Sequence, residues 1–233
     1  LAESVEPEFI RDNRNRGMVS HSDGELYQAF DLCYDYDIYG DFLSYVQGKT
    51  ELTDYVRALE RQESIYPADY AKLRFLENHD RPRMTHLFPD RRTRLNWLCW
   101  MFFQKGTALL YSGQEWENDH RPDLFDPDPI PMEDPAPLEE LIRRLTALKK
   151  DPLFEIGAYS LRACPGDVLT AVWQERRENG KRLTGCFCLR GNPALVRVEL
   201  PDGRYENLLK PGTFLRVESG LLSLDGNPAV LQS

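Results

Sequence analysis

A chain of 233 residues that is 41% hydrophobic, 29% charged and 11% aromatic has the makeup of a globular protein and not of a disordered one. Its formal charge of −9, from 38 acidic against 29 basic residues, argues against nucleic acid as a partner, because a polyanion is bound by a basic stripe that displaces counterions. The longest apolar run, Trp97 to Phe103, falls far short of the roughly 20 residues that a bilayer span requires, so no membrane partner is expected.

The first residues, Leu1-Ala2-Glu3-Ser4, read as the tip of a strand. Pro7 to Arg16 reads as a short helix, opened by proline and stopped by Gly17. Ala29 to Tyr34 follows as a strand, and two helical pieces come after Gly40. In the second piece Leu52, Tyr55, Val56 and Leu59 recur at the spacing of one helical face. Lys72 to Leu76 is a third strand, Arg92 to Gln104 a largely apolar helix closed by Gly106, and Thr107 to Tyr111 a fourth strand. A proline-rich loop spans Arg121 to Pro137. The last helix carries Leu138, Leu141, Ile142, Leu145 and Leu148 on one face and stops at Asp151-Pro152.

Strand and helix therefore alternate four times, which implies parallel strands joined by helical crossovers. Four such units make half of an eight-stranded barrel. From Ile156 onward, turn signals separate short alternating runs such as Val168–Gln174 and Leu195–Leu200; they fall at Pro165-Gly166, Asn179-Gly180, Asn192-Pro193, Asp202-Gly203, Pro211-Gly212 and Asp225-Gly226. The expected fold class is α/β: a partial (β/α)8 TIM barrel, its second half, over residues 1–154, followed by a small antiparallel β-domain over residues 155–233.

Five cysteines without framework spacing read as free thiols in a reducing compartment, which favours a cytoplasmic setting. Cys186-Phe187-Cys188 lacks histidine partners for zinc, and neither a metal nor a cofactor is expected. The basic stretch Glu175 to Arg182 is broken by acids at a turn and reads as a solvated face.

Parallel barrels place their chemistry at the C-terminal tips of the strands. Here those tips carry Glu3, then Asp35 and Asp37, then Glu77-Asn78-His79-Asp80, then Gln114-Glu115. A cleft lined by carboxylates suits a polyhydroxylated sugar and an oxocarbenium-like transition state. Glycoside hydrolysis needs one carboxyl to protonate the leaving oxygen and a second to attack or to activate water.

Three segments carry a resemblance. Phe75-Leu76-Glu77-Asn78-His79-Asp80 resembles the seventh-strand motif of the α-amylase family of glycoside hydrolases, Leu1-Ala2-Glu3-Ser4 its fifth-strand segment, and Lys105 to Glu115 its eighth-strand segment. The resemblance implies that Glu3 is the general acid/base, that Asp80 stabilises the transition state through sugar hydroxyls, and that His79 binds the same ring. It implies an α-linked oligo- or polysaccharide as substrate. The family's nucleophile is a fourth-strand Asp in an Asp-x-x-Arg-x-Asp-like motif, and no such motif occurs in this sequence. The chain alone is therefore expected to be inactive, with the nucleophile and the segment where the family often binds calcium lying upstream. Met132 departs from the pattern, where many members carry a tryptophan.

Several residues have plainer readings. Arg83 is expected to pair with neighbouring carboxylates, Gln114 and Glu115 to brace loops, and Trp116, Tyr27, Phe30 and Tyr66 to pack. Asp35 and Asp37 are weak candidates for a substitute nucleophile. Glu3, so near the first residue, is expected to be poorly held. Alternative functions are a glucosyl transferase or isomerase of the same family, or a non-catalytic half-barrel whose open edges pair with a second copy or with the missing N-terminal half. Sugar binding by the β-domain alone has little support, because Trp173 and Tyr205 are isolated in sequence.

Overall fold

The computed structural model describes residues 1–132, 134–177 and 179–233; Glu178, within the basic stretch read above as a turn, and Glu133, within the proline-rich loop, lie outside the described residues. The chain divides into two compact units, one formed by Leu1–Phe75 with Gln104–Leu109 and the other by Leu76–Phe103 with Leu110–Ser233.

The first unit contains helices α1 (Pro7–Asn15), α2 (Asp23–Leu26), α3 (Tyr39–Val46) and α4 (Leu52–Ile65), and strands β1 (Leu32–Tyr34), β2 (Ala71–Arg74) and β3 (Thr107–Ala108). The strands form one parallel sheet in the order β1-β2-β3, and Ala2 bridges in parallel to Cys33 at its free side. The stripe predicted on α4 is the buried one: Leu52, Tyr55, Val56 and Leu59 all face inward, and the next residue of that stripe, Gln62, is fully buried too. A polar residue at the end of an apolar stripe needs partners inside, and it finds them in the ion network described below.

Some boundaries differ from expectation. Ala29 and Phe30 are not part of β1; their N–H groups donate back to the Leu26 carbonyl at 3.0 and 2.9 Å, so α2 ends in a turn where a strand was expected. The α2 helix itself was not foreseen, although Ser22 and Glu25 form a capping box around its start. The strand expected to reach Tyr111 ends at Ala108, with Leu109 N donating to the Arg74 carbonyl at 2.8 Å. Gly106 precedes β3 at φ 105°, where an added Cβ would run into the Lys72 backbone.

The second unit contains helices α5 (Met84–Leu87), α6 (Arg91–Phe103), α7 (Glu139–Lys149) and α8 (Leu153–Ile156), and strands β4 (Ala158–Cys164), β5 (Val168–Gln174), β6 (Arg182–Cys188), β7 (Ala194–Arg197), β8 (Gly203–Glu206), β9 (Phe214–Glu218), β10 (Leu221–Leu224) and β11 (Ala229–Gln232). These strands form two antiparallel sheets, β11-β6-β5-β4 and β7-β10-β9-β8. The two sheets share a core of Val168, Cys186, Val196, Val217, Leu222 and Leu231 among others. The expected turns fall between the strands as read, and the β9–β10 turn at Ser219-Gly220, both at positive φ, completes the set.

Helix α6 is buried on every side from Asn96 to Phe103 because it packs against β6 on one flank and α7 on another. Phe187 of β6 lies 5.5 Å from both Trp100 and Phe103, ring centre to ring centre. Trp97 Nε1 donates to the Leu189 carbonyl at 3.2 Å, and Trp173 Nε1 donates to the Phe103 carbonyl at 2.9 Å. Trp173, isolated in sequence, is stacked on Tyr159 at 4.5 Å in this core. Among the described residues no helix is long and apolar enough to cross a membrane.

Candidate active site

Glu3 belongs to the first unit, and it is better held than its position in the chain suggested. Ala2 N donates to the Leu32 carbonyl at 2.7 Å, and Tyr34 N donates to the Ala2 carbonyl at 3.1 Å. Buried Ser4 then donates through Oγ to the Tyr34 carbonyl at 3.1 Å. The two anchored residues bracket Glu3, whose side chain alternates to the exposed face.

Asp35 and Asp37, at the tip of β1, are not free carboxylates. Arg74 Nη1 donates to Asp35 at 2.7 Å, and Lys72 Nζ donates to Asp37 at 2.7 Å. Gln62 bridges the group, donating to Asp35 at 2.8 Å and to Asp37 at 3.0 Å while accepting from Arg74 at 2.8 Å. Tyr66 adds a hydroxyl bond to Asp37 at 2.8 Å, and buried Lys72 also pairs with buried Asp23. Burial pushes the Asp37 carboxyl up, but the Lys72 charge and these hydrogen bonds outweigh it and leave the carboxyl below its ordinary value. The weak reading of either residue as a nucleophile gives way to a structural ion network. Tyr27 and Tyr66, expected to pack, do so edge to face with their ring centres 5.2 Å apart.

The Glu77–Asp80 segment lies in the second unit. Glu77, counted above among cleft carboxylates, is fully buried: it accepts from Arg83 Nη1 at 2.7 Å and from Met84 N at 2.5 Å. Burial pushes its carboxyl up in spite of those donors. Arg83, as expected, is the hub. Its Nε donates to the His120 carbonyl at 2.7 Å, its Nη1 also to the Ser112 carbonyl at 2.9 Å, and its guanidinium lies 4.6 Å from the Tyr111 ring centre. Buried Asn78 accepts from Asp80 N at 2.9 Å, which turns the chain just before Asp80. His79 and Asp80 emerge from this buried base partly exposed, with His79 Nε2 at 3.5 Å from Asp80 Oδ2. Two anchored residues thus hold up an imidazole and a carboxylate that solvent can reach.

The loop after β3 is braced as expected for Gln114, whose Oε1 accepts from Tyr111 N at 3.2 Å, while the Glu115 carbonyl accepts from Leu138 N at 3.1 Å. Beyond it the structure shows a pocket of about 500 Å³, lined by Trp116, Asn118, His120 and Asp134 among others. His120 pairs with Asp128 at 2.8 Å there. Of this wall sequence reasoning singled out only Trp116, because the other lining residues lie outside any regular element.

The antiparallel sheets match the family described as Bacterial Alpha amylase C-terminal domain, over residues 161–231. Over its whole length the chain is similar to an α-amylase from Lactobacillus plantarum, at 39% identity and a TM-score of 0.91, covering 54% of that chain. It is similar to a noncanonic maltogenic α-amylase from Thermotoga neapolitana at 26% identity and a TM-score of 0.77, with 97% of this chain and 57% of that one covered. An α-amylase from Geobacillus thermoleovorans, complexed with acarbose, shares the fold at 19% identity and a TM-score of 0.64, covering 97% of this chain and 50% of that one. A search of curated proteins returns no match. By these likenesses the chain corresponds to the C-terminal portion of the α-amylase family. It spans about half the length of the solved structures it matches.

Proposed function

We propose that this chain is the back half of a retaining, α-glucan-active glycoside hydrolase: strands five to eight of a (β/α)8 barrel over residues 1–154, then a C-terminal β-domain over 155–233. The parallel order of Ala2, β1, β2 and β3 supports the barrel reading, because each carboxylate singled out in sequence follows a C-terminal strand end. In this reading Glu3 protonates the glycosidic oxygen and later deprotonates the incoming water. Asp80 and His79 hold sugar hydroxyls as positive charge develops on the ring. A nucleophilic aspartate from the preceding barrel segment forms the covalent intermediate.

The observation that carries this reading is the His79–Asp80 pair, partly exposed on a turn that Asn78 and the Glu77–Arg83 pair hold rigid. Groups that stabilise a transition state gain from being fixed beforehand. The likeness to α-amylases, one of them complexed with acarbose, supports an α-linked glucan as substrate. Two measurements test the proposal. The purified chain is expected to release no reducing sugar from maltooligosaccharides, since groups that act as a unit fail together. Joined to the upstream half of the barrel it is expected to turn over, with Glu3→Gln lowering kcat by roughly 10²–10⁴-fold. Turnover by the chain alone, or a Glu3→Gln parent with unchanged kcat, overturns it. Product analysis separates hydrolysis from glucosyl transfer.

For partners, the first unit exposes Leu1, Val5, Phe9, Met18, Val19 and Phe30 within its first thirty residues. That apolar surface supports docking of the upstream half-barrel or of a second copy of this chain.

A further inference from the structure

The face that the two β-sheets turn toward each other is apolar along most of its length. Val168 on β5 and Cys186 and Cys188 on β6 point into the shared core. Because side chains alternate along a strand, the same face carries Thr170 and Val172 on β5 and Thr184 and Arg182 on β6. The register sets Ser160 opposite Val172 and Val172 opposite Thr184, with Arg162 opposite Thr170. At this end the core face becomes polar and cationic. The sheets leave there a half-enclosed pocket of about 200 Å³, lined by Ser160, Arg162, Thr170, Arg182, Thr184, Arg197 and Glu199 among others.

Two of these residues are incompletely satisfied. Thr184 is only 2% exposed, and its Oγ1 has no hydrogen-bond partner. Arg182 Nε is likewise shut off from solvent and unpaired. The rest of that guanidinium is engaged: Nη2 donates to Glu199 at 2.9 Å and Nη1 to Gln174 at 3.4 Å. Arg162 Nη2 donates to the Arg197 carbonyl at 2.8 Å, so it meets a neutral partner there. Arg162 and Arg182 thus bring two guanidinium groups to the pocket against one carboxylate, while Arg197 contributes its carbonyl, in a chain whose net charge is −9.

We infer that this pocket binds a small oxyanion of the phosphate class. Guanidinium groups form charge-assisted, paired hydrogen bonds to such oxygens, and an orphaned Thr hydroxyl and Arg Nε–H supply further donors for a modest side-chain rotation to present. The space holds about six waters, enough for phosphate. A cation is repelled by the arginines. A neutral sugar ring would want a flat aromatic wall, and the apolar lining is Leu161, Val172 and Val198.

The test is an NMR titration of the full chain with inorganic phosphate at constant ionic strength, following the Arg Nε–H and Thr184 amide signals. Saturable shifts confined to Arg162, Arg182 and Thr184 are expected. Thr184→Val, nearly isosteric, should weaken binding about fivefold, and Arg182→Gln about tenfold or more. Glu199 is exposed, so Glu199→Gln should fold normally and tighten binding about threefold by removing the competing carboxylate. Absence of saturable shifts up to ~50 mM phosphate, far weaker than a specific site, would overturn the inference. So would unchanged binding in both the Thr184 and Glu199 variants, or the same shifts produced by maltose in place of phosphate.

Discussion

Arg83 is the residue on which the candidate site's framework turns. It is fully buried, it neutralises Glu77, and it holds the carbonyls of Ser112 and His120, residues nearly thirty and forty positions away. Removing one member of a buried ion pair leaves the other uncompensated, which typically costs about 3–5 kcal/mol. Arg83→Met is therefore expected to lower the stability of the second unit by that order, read as a fall in the denaturant midpoint. A second prediction concerns Glu25. Its carboxylate accepts from Ser22 N and Oγ, both at 2.7 Å, and from Arg14 at 2.6 Å, and the Ser22 bonds first of all hold its pKa down to about 2. A depressed acid contributes stability above its ordinary value of 4.5, and that contribution is lost as pH falls toward 2. Glu25→Gln should flatten the pH dependence of Tm across that window, and an unchanged profile would contradict the role given to the capping box.

Among the elements, helix α6 is seated on the β-domain by Asn96 together with the Trp97 and Trp173 hydrogen bonds. Asn96 is completely buried; its Oδ1 accepts from Cys188 N at 2.7 Å and its Nδ2 donates to the Gly226 carbonyl at 2.9 Å. Asn96→Ala would strand two buried backbone groups, each worth about 1–3 kcal/mol when unmet. A loss of roughly 2–6 kcal/mol in the urea denaturation of the chain is expected. Apolar stripes made α4 and α7 legible in the sequence, end signals α1 and α6, and turn dipeptides most of the β-turns, since each is built from local rules. The errors came where longer-range pairing decides. Thr107–Tyr111 has strand composition throughout, but only Thr107 and Ala108 have ladder partners on β2. In the candidate site, Glu77-Asn78-His79-Asp80 stood out as a motif. That Glu77 turns inward to Arg83 while His79 and Asp80 turn outward depends on residues far along the chain, and no spacing announces it. The His120–Asp128 pair was missed for the same reason, lying in a loop without periodicity.

At the scale of the whole molecule, the compact units cut across the barrel-plus-domain division proposed from sequence. Helix α6 precedes the β-domain by more than fifty residues, yet Trp97, Trp100 and Phe103 are packed and hydrogen-bonded within the same unit as β6. Large aromatic side chains each contribute about 1.5–3 kcal/mol by burial. Deleting residues 155–233 would bare that face, so the remaining 1–154 piece is expected to aggregate where the full chain stays dispersed. Light scattering of the two proteins at equal concentration checks it.

The five cysteines, none joined to another, fall on both sides of the division: Cys33 is sealed in the first unit, and Cys99, Cys186 and Cys188 in the second, with Cys164 partly reachable at the end of β4. Alkylation in the native protein should mark Cys164 first, because burial both shields the others and pushes the Cys188 thiol up to about 11. Mass-resolved labelling over time then becomes a pair of independent clocks. One counts the openings of the parallel sheet and the other those of the sandwich, with no engineered probe in either.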